Sequence, residues 1–279
     1  MTTELDLPAL TAIALAAART AAEWVYQNGY RSRPEIKTKA SHADLVTRFD
    51  VESEQLIRRL LGERTPELPI VGEEQGGEAD ERATWFCDPI DGTTNFAHGH
   101  AFFAVSIGLM RAGVPLLGAV VAPALRCEWH GYVDGVNSAA FRNGVACSVS
   151  ATDQLSEALV GTGFSPVLAQ RGPPEDNLPA LLRVSPEVRG IRRCGSAALD
   201  LCMVADGTYD AFWERQLSPW DTAAGAALVL AAGGQVTDLT GAGYDLTRGY
   251  LLASNARVHA DLIALLKVDG KPTTPQNVS

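Results

Sequence analysis

The sequence predicts an α/β fold, a layered sandwich whose N-terminal and C-terminal halves meet near residue 150. Three observations carry that expectation. An Ala-rich helical stretch opens the chain, short β runs bounded by turn residues fill most of the first half, and the second half alternates helical and β patterns. The expected units are residues 1–150, residues 151–266 and a loose polar tail over 267–279.

Residues 5–27 should form the first helix, because Leu10, Ile13, Ala14, Ala17, Ala21, Trp24 and Val25 fall on one stripe and Gly29 follows as a stop. A second helix is expected over 50–61, with Val51, Ile57, Leu60 and Leu61 inward and charges outward. β runs follow at 68–71, 84–87, 103–109, 115–121, 128–133 and 139–141. After the last of these, Asn143-Gly144 is a two-residue hairpin signal, since both residues tolerate positive φ. Beyond residue 150, strands are expected at 160–162, 190–193, 210–214, 235–237 and 251–254, with helices at 177–183, 196–205, 221–232 and 260–266.

Composition narrows the function. The 279 residues include 23 Lys and Arg against 33 Asp and Glu, a formal net charge of −10. Such an acidic body is unsuited to gripping duplex nucleic acid or an anionic membrane. Cys87, Cys127, Cys147, Cys194 and Cys202 form no CxxC pair, which points to reduced thiols and a cytoplasmic setting. Glu4 and Asp6 precede the first apolar stretch, where a secretory signal would be basic. The longest apolar run, 223–234, falls well short of the roughly 20 residues a membrane span needs.

Residues 85–96, Trp-Phe-Cys-Asp-Pro-Ile-Asp-Gly-Thr-Thr-Asn-Phe, carry the most chemistry. An aromatic β run ends on Asp88 and Asp91, Pro89 stiffens the link between them, and Gly92-Thr93-Thr94 opens a turn or helix. Two carboxylates on a rigid strand end suit a hard cation such as Mg²⁺. The amides of a following helix start suit an anion. The plainer alternative is a polar turn.

Three other acidic places have a similar setting. Glu73 and Glu74 follow the apolar run Ile70-Val71-Gly72, where a solvated loop is the alternative. Asp50 leads into the second helix, where it could be only an N-terminal cap. Ser218-Pro219-Trp220-Asp221 reads equally well as a helix start, with Ser218 as cap and Asp221 completing a capping box. Each place sets a carboxylate at a strand-to-helix junction, where α/β proteins build ligand sites.

Together, Asp44-Leu-Val-Thr47 with Asp50, Gly72-Glu73-Glu74, the run from Asp88 to Phe96 and Trp220-Asp221 resemble the signatures of the inositol monophosphatase family. Gly195-Ser-Ala-Ala198, Tyr209-Asp210 and Glu214 add a fifth, looser element. The family comprises Mg²⁺-dependent, often Li⁺-sensitive sugar-phosphate phosphatases, and the similarity runs from the first helix to about Leu266. It implies an αβαβα sandwich of the type shared with fructose-1,6-bisphosphatase, and a homodimer.

It also implies roles. Glu73, Asp88 and the carbonyl of Ile90 would hold one Mg²⁺, and Asp88, Asp91 and Asp221 a second. A third, weaker ion would sit near Glu73, with Mn²⁺ able to substitute. Asp50 and Thr93, together with Glu73, would serve the attacking water. The amides of Gly92 and Thr93 would bind phosphate. Asp91, Gly195, Ser196, Ala197, Glu214 and Asp221 would line the polyol side, and Lys39 matches a basic residue found just upstream of the first signature. Ala101 stands where members commonly carry Pro, which should alter only local loop stiffness.

The expected activity is hydrolysis of myo-inositol monophosphate, a small phosphorylated polyol, by activated water. Histidinol-phosphate phosphatase, fructose-1,6-bisphosphatase and adenosine bisphosphate nucleotidase are the enzyme alternatives. A bisphosphate would need more basic residues than Arg192 and Arg193. A regulatory protein that keeps the fold and works through a partner is the alternative from another class. His42, His98, His100, His130 and His259 show no metal-ligand spacing, and Cys87, Cys194, Trp213 and Trp220 read as packing residues.

Overall fold

A computed structural model describes residues 5–32, 37–38, 45–164, 177–244 and 249–267. Lys39, His42, Asp44 and the tail beyond residue 267 lie outside the described residues.

Helix α1 (Leu7–Asn28) begins where Asp6 accepts the Ala9 amide at 3.0 Å, with Pro8 in its first turn. A two-strand ladder of β1 (Lys37–Thr38) and β2 (Leu45–Val46) follows. Helix α2 (Arg48–Arg64) starts earlier than the expected 50–61, because Thr47 and not Asp50 is its cap. Thr47 Oγ1 accepts the Phe49 amide at 3.1 Å, and Asp50 reaches back to accept the Thr47 amide at 2.8 Å.

The first sheet has seven strands in sequential order: β3 (Ile70–Gly72), β4 (Ala83–Asp91), β5 (Ala104–Arg111), β6 (Val114–Ala122), β7 (Cys127–Tyr132), β8 (Ala139–Arg142) and β9 (Val145–Ala146). β3 runs parallel to β4, and every other pair is antiparallel. Asn143 and Gly144 join β8 to β9 with φ of 50° and 76°, the expected hairpin turn.

Short helix α3 (Thr93–Ala97) leaves β4 directly, and the second half supplies α4 (Leu178–Val184), α5 (Ala197–Ala205), α6 (Pro219–Ala231) and α7 (His259–Leu266). Its sheet comprises β10 (Leu159–Thr162), β11 (Gly190–Arg192), β12 (Ala211–Glu214), β13 (Gln235–Thr237) and β14 (Leu251–Ser254), ordered β11-β10-β12-β14-β13. The strands around β10 are parallel, whereas β14 is antiparallel to both its neighbours.

Three buried cores define five layers, αβαβα. Ala14, Ala18 and Ala21 of α1 and Ile57 and Leu61 of α2 pack on Trp85, Ile107 and Leu117 of the first sheet. On its other face Val120 and Trp129 meet Leu199, Leu201, Ala224 and Leu228 of α5 and α6, which also pack against Phe212, Leu251 and Ala253 of the second sheet. Val160, Trp213 and Leu252 then meet Ala180 of α4 and Leu262 and Leu266 of α7. The middle layer sits unusually close to the first sheet. A Cβ on Gly108 or Gly118 would come within 2.5 Å or 2.3 Å of the Ala224 backbone, so bare glycines on β5 and β6 admit α6.

β4 is the largest departure from expectation. The periodicity predicts a strand over 84–87 ending before the carboxylates, whereas the strand runs through both of them and all nine of its residues are buried. Among the described residues no helix is long and apolar enough to cross a membrane.

His259 illustrates how the outer layer is tied. Its ring nitrogens lie 2.9 Å from Thr237 Oγ1 and 2.8 Å from Ser254 Oγ, and burial lowers its pKa to about 4. Because the unfolded chain takes up this proton first as pH falls, His259 should subtract stability between about pH 6.5 and 4. His259→Gln should therefore flatten the loss of Tm over that window relative to the native chain. Parallel Tm profiles for the two proteins would contradict this.

Candidate active site

Asp88 and Asp91 stand three positions apart, a spacing that in a regular strand sends side chains to opposite faces. β4 escapes that outcome through a bulge. Asp88 pairs with Ser106 and Asp91 with Ala104, so three steps on β4 match two on β5. Pro89, which has no amide to give a ladder, sits inside the irregularity. Ala104 belongs to the core shared with α5 and α6, whereas Val105 and Ile107 face α1 and α2. Both carboxylates therefore point to the middle helical layer.

Two helix starts meet them there. Ser196, the cap of α5, donates its hydroxyl to Asp91 Oδ2 at 2.6 Å, and the Ala198 amide donates to the same oxygen at 2.7 Å. Asp91 is thus held by the positive end of α5. Asp221, in the first turn of α6, accepts the Ser218 amide at 2.7 Å, the capping contact anticipated for it. Asp88 Oδ1 accepts the Ile90 amide at 3.0 Å. Glu73 follows β3, and its amide donates to Cys87 O at 3.3 Å, one residue before Asp88. On the α2 side, Thr93 Oγ1 lies 3.2 Å from Asp50 Oδ1 and 3.0 Å from Ile90 O.

The electrostatics confirm that these groups share one region. Burial pushes Asp88 well above the usual carboxylate range, and the charges of Glu73, Asp91, Asp221 and Asp50 push it further. Asp221 is raised by burial and then by Asp91 and Glu73. Asp91 is also raised by burial, against the pull of its Ser196 and Ala198 donors. Burial takes Asp50 to about 6 despite its Thr47 bonds. Glu214, at the end of β12, is raised to about 8 by burial, with Arg193 pulling the other way and Asp91 adding to the rise.

The charges that weigh most on Asp88 are all negative, an arrangement that is costly unless a cation joins it. Among the described residues, no three His, Cys, Asp or Glu side chains already stand as a metal-binding group. Instead protein donors anchor Asp88 through Oδ1, Asp91 through Oδ2 and Asp221 through Oδ2. Buried, all-oxygen and anionic, the set fits a hard divalent cation.

The remaining residues named from sequence lie alongside. Gly92, at φ 91°, caps α3, and its Cα faces Gly195, whose carbonyl would be 3.1 Å from a Cβ there. Ala197 follows Ser196 into α5, and its amide also acts on Asp91. Sequence reasoning missed several supports. The Asn95 side-chain amide donates to Phe102 O at 2.6 Å and to Cys194 O at 2.8 Å, tying α3 to the loop before α5. Ser106, opposite Asp88, carries a buried hydroxyl without a partner, and so does one carboxyl oxygen of Asp200. A polar amide inside the Asn-Phe run was the only signal for Asn95. A cavity of about 480 Å³ lined by Arg19, Tyr26, Arg126 and Cys127 lies elsewhere, between α1 and the ends of β6 and β7. The five cysteines are free thiols.

Comparison with known proteins gives a consistent picture. Residues 6–269 match the model of the inositol monophosphatase family. An inositol-1-monophosphatase of Mycobacterium bovis is 42% identical over 208 residues, covering 72% of this chain and 71% of the relative. A protein of Pseudomonas aeruginosa named Nus factor SuhB is 40% identical, covering 91% of this chain and 94% of its own length. An inositol monophosphatase structure from Anabaena superposes with a TM-score of 0.83 at 34% identity, over 94% of this chain and 96% of that one.

The crowding of like charges predicts a trade-off. In chelator near neutral pH, Asp88→Asn should raise Tm, by about 2–4 °C for each kcal/mol of repulsion and desolvation relieved. Differential scanning fluorimetry checks this, and an unchanged or lower Tm would count against an uncompensated acidic cluster.

Proposed function

The chain belongs to the inositol monophosphatase family, and from that membership we propose that it is a Mg²⁺-dependent phosphomonoesterase acting on a small phosphorylated polyol, myo-inositol monophosphate foremost. The observation that carries this reading is the β4 bulge, which turns Asp88 and Asp91 to the same side, toward the start of α6. In this proposal Glu73, Asp88 and the Ile90 carbonyl would hold one ion, and Asp88, Asp91 and Asp221 a second, with a third weakly held near Glu73. When bound, Mg²⁺ supplies Lewis-acid charge against the ester's anionic oxygens and makes water a stronger acid.

The chain's own groups do the rest. Thr93 has one hydroxyl proton and two acceptors within reach, Asp50 and the Ile90 carbonyl. Donated to Asp50, that proton leaves a Thr93 lone pair to accept from water. Asp50, with its pKa near 6, is ionised at neutral pH and suited to draw the proton onward. The first amides of α3, beyond Gly92, have no helical partners and would receive phosphate oxygens. Glu214 and the Gly195–Ala197 segment face the polyol, where a carboxyl poised near pH 8 can accept or donate to a hydroxyl.

The division of labour follows the halves. Residues 1–150 bring Glu73, Asp88 and Asp91, and residues 151–266 bring Asp221, Ser196 and Glu214. A homodimer in a reducing cytoplasm completes the proposal. A second reading, a regulatory protein acting through a partner, draws on the relative named as a Nus factor. Retention of every acidic residue of the signatures favours catalysis.

Mg²⁺-dependent phosphate release from inositol 1-phosphate, histidinol phosphate, fructose 1,6-bisphosphate and adenosine bisphosphate tests the proposal. Inositol 1-phosphate should give the highest kcat/KM, and Asp91→Asn should abolish release. Near-zero turnover by native and variant chains alike would favour the partner-binding reading. Asp88→Asn should lower kcat by about 10⁴-fold and Asp50→Asn by about 10²-fold, because the first removes a ligand of both ions and the second a proton acceptor. The reverse order would contradict the assigned roles.

A further inference from the structure

We infer that Glu54 and Arg58 of α2 are positioning residues that lock the Gly72–Gly76 turn and so fix where Glu73 meets the acidic cluster. The inference rests on the metal-site reading above. It starts from helix periodicity. Asp50, Glu54 and Arg58 are spaced by four residues, which sets them on one face of α2, each a turn beyond the last. Asp50 engages Thr93, and Ser53 beside it donates to Pro89 O at 3.2 Å. The same helix face that carries the proton acceptor therefore also leans on the bulge of β4.

One turn on, Glu54 is fully buried and both its oxygens are committed. Oε2 accepts the Glu74 amide at 2.7 Å, and Oε1 accepts the Gln75 amide at 3.1 Å and Arg58 Nε at 2.7 Å. Arg58 in turn donates Nη1 to Ile70 O at 3.2 Å and Nη2 to Gly76 O, so its guanidinium spans the turn from before its start to its end. The remaining amides are also taken. Gly72 and Gly76 exchange N–H···O bonds at 3.0 and 3.1 Å, and the Glu73 amide reaches Cys87 O. Every amide from residue 72 to residue 76 thus has a partner, and two of the five depend on Glu54.

Gly72 belongs to the same device. A Cβ there would lie 2.4 Å from the Glu54 carboxyl carbon, so the carboxylate occupies the space a side chain would need. A buried carboxylate that is neutralised by an arginine and spent on backbone amides is not itself a ligand. It is the outer support of one, and removing such supports typically costs about 10–100-fold in metal affinity.

Equilibrium Mn²⁺ binding to the full chain without substrate, followed by electron paramagnetic resonance, tests this separately from turnover. Glu54→Gln should raise the Mn²⁺ Kd by about 10–100-fold and Arg58→Lys, which keeps charge but loses the fork, by a smaller factor. His259→Gln, which loosens the fold far from the site, should leave that Kd unchanged even where it lowers Tm in chelator. If Glu54→Gln does not fold, Gly72→Ala and Arg58→Lys decide the matter, since both leave the Glu54 carboxylate in place while disturbing its hold on the turn. Kd values for the clamp variants that match the native chain, with Asp88→Asn still weakened, would overturn the clamp alone. Failure of the native chain to bind Mn²⁺ would overturn the metal site together with the clamp.

Discussion

The structure turns on the burial of several carboxylates on one side of β4. Burial, and after it their mutual repulsion, raises Asp88 and Asp221 well above their ordinary range. The surrounding architecture supplies partial compensation. Asp91 takes the amides and hydroxyl at the start of α5, and Asp221 sits in the first turn of α6, so two helix dipoles point their positive ends at the negative cluster. The close approach of α6 to Gly108 and Gly118 brings that compensation within range. Layer order, strand irregularity and glycine placement together bring the acids to one region.

In the proposed site the same residues serve stability and chemistry at once. Asp221 completes a helix start while it faces the cluster, and Asp50 closes the Thr47 capping box while its other oxygen reaches Thr93. The alternatives left open for these residues, cap or functional group, are therefore not exclusive. A carboxylate has two oxygens, and one can anchor the side chain so that the other is presented in a fixed direction.

Much of this was legible in the sequence, and the remainder was hidden for identifiable reasons. The layered order, the Asn143-Gly144 turn and the convergence of Glu73, Asp88, Asp91 and Asp221 could be anticipated because each rests on local chemistry or on a signature. The length of β4 could not, since Asp-Pro-Ile-Asp looks like a strand end until the bulge shows how Pro89 is accommodated. Glu54 and Arg58 looked like the solvated side of an amphipathic helix. Only the tertiary partner, a turn about 20 residues along with amides to satisfy, turns that polar stripe into a buried clamp. The bond from the Ser196 hydroxyl to Asp91 was likewise hidden, since it joins residues far apart in the sequence.

The central claim is that these buried acids form one cation site. Anomalous diffraction from crystals soaked in Mn²⁺ tests it most directly. The account predicts strong peaks bounded by Glu73, Asp88, the Ile90 carbonyl, Asp91 and Asp221, with Asp88 between the two strongest. Peaks confined to surface carboxylates, with the β4 acids still held only by their protein donors, would contradict it.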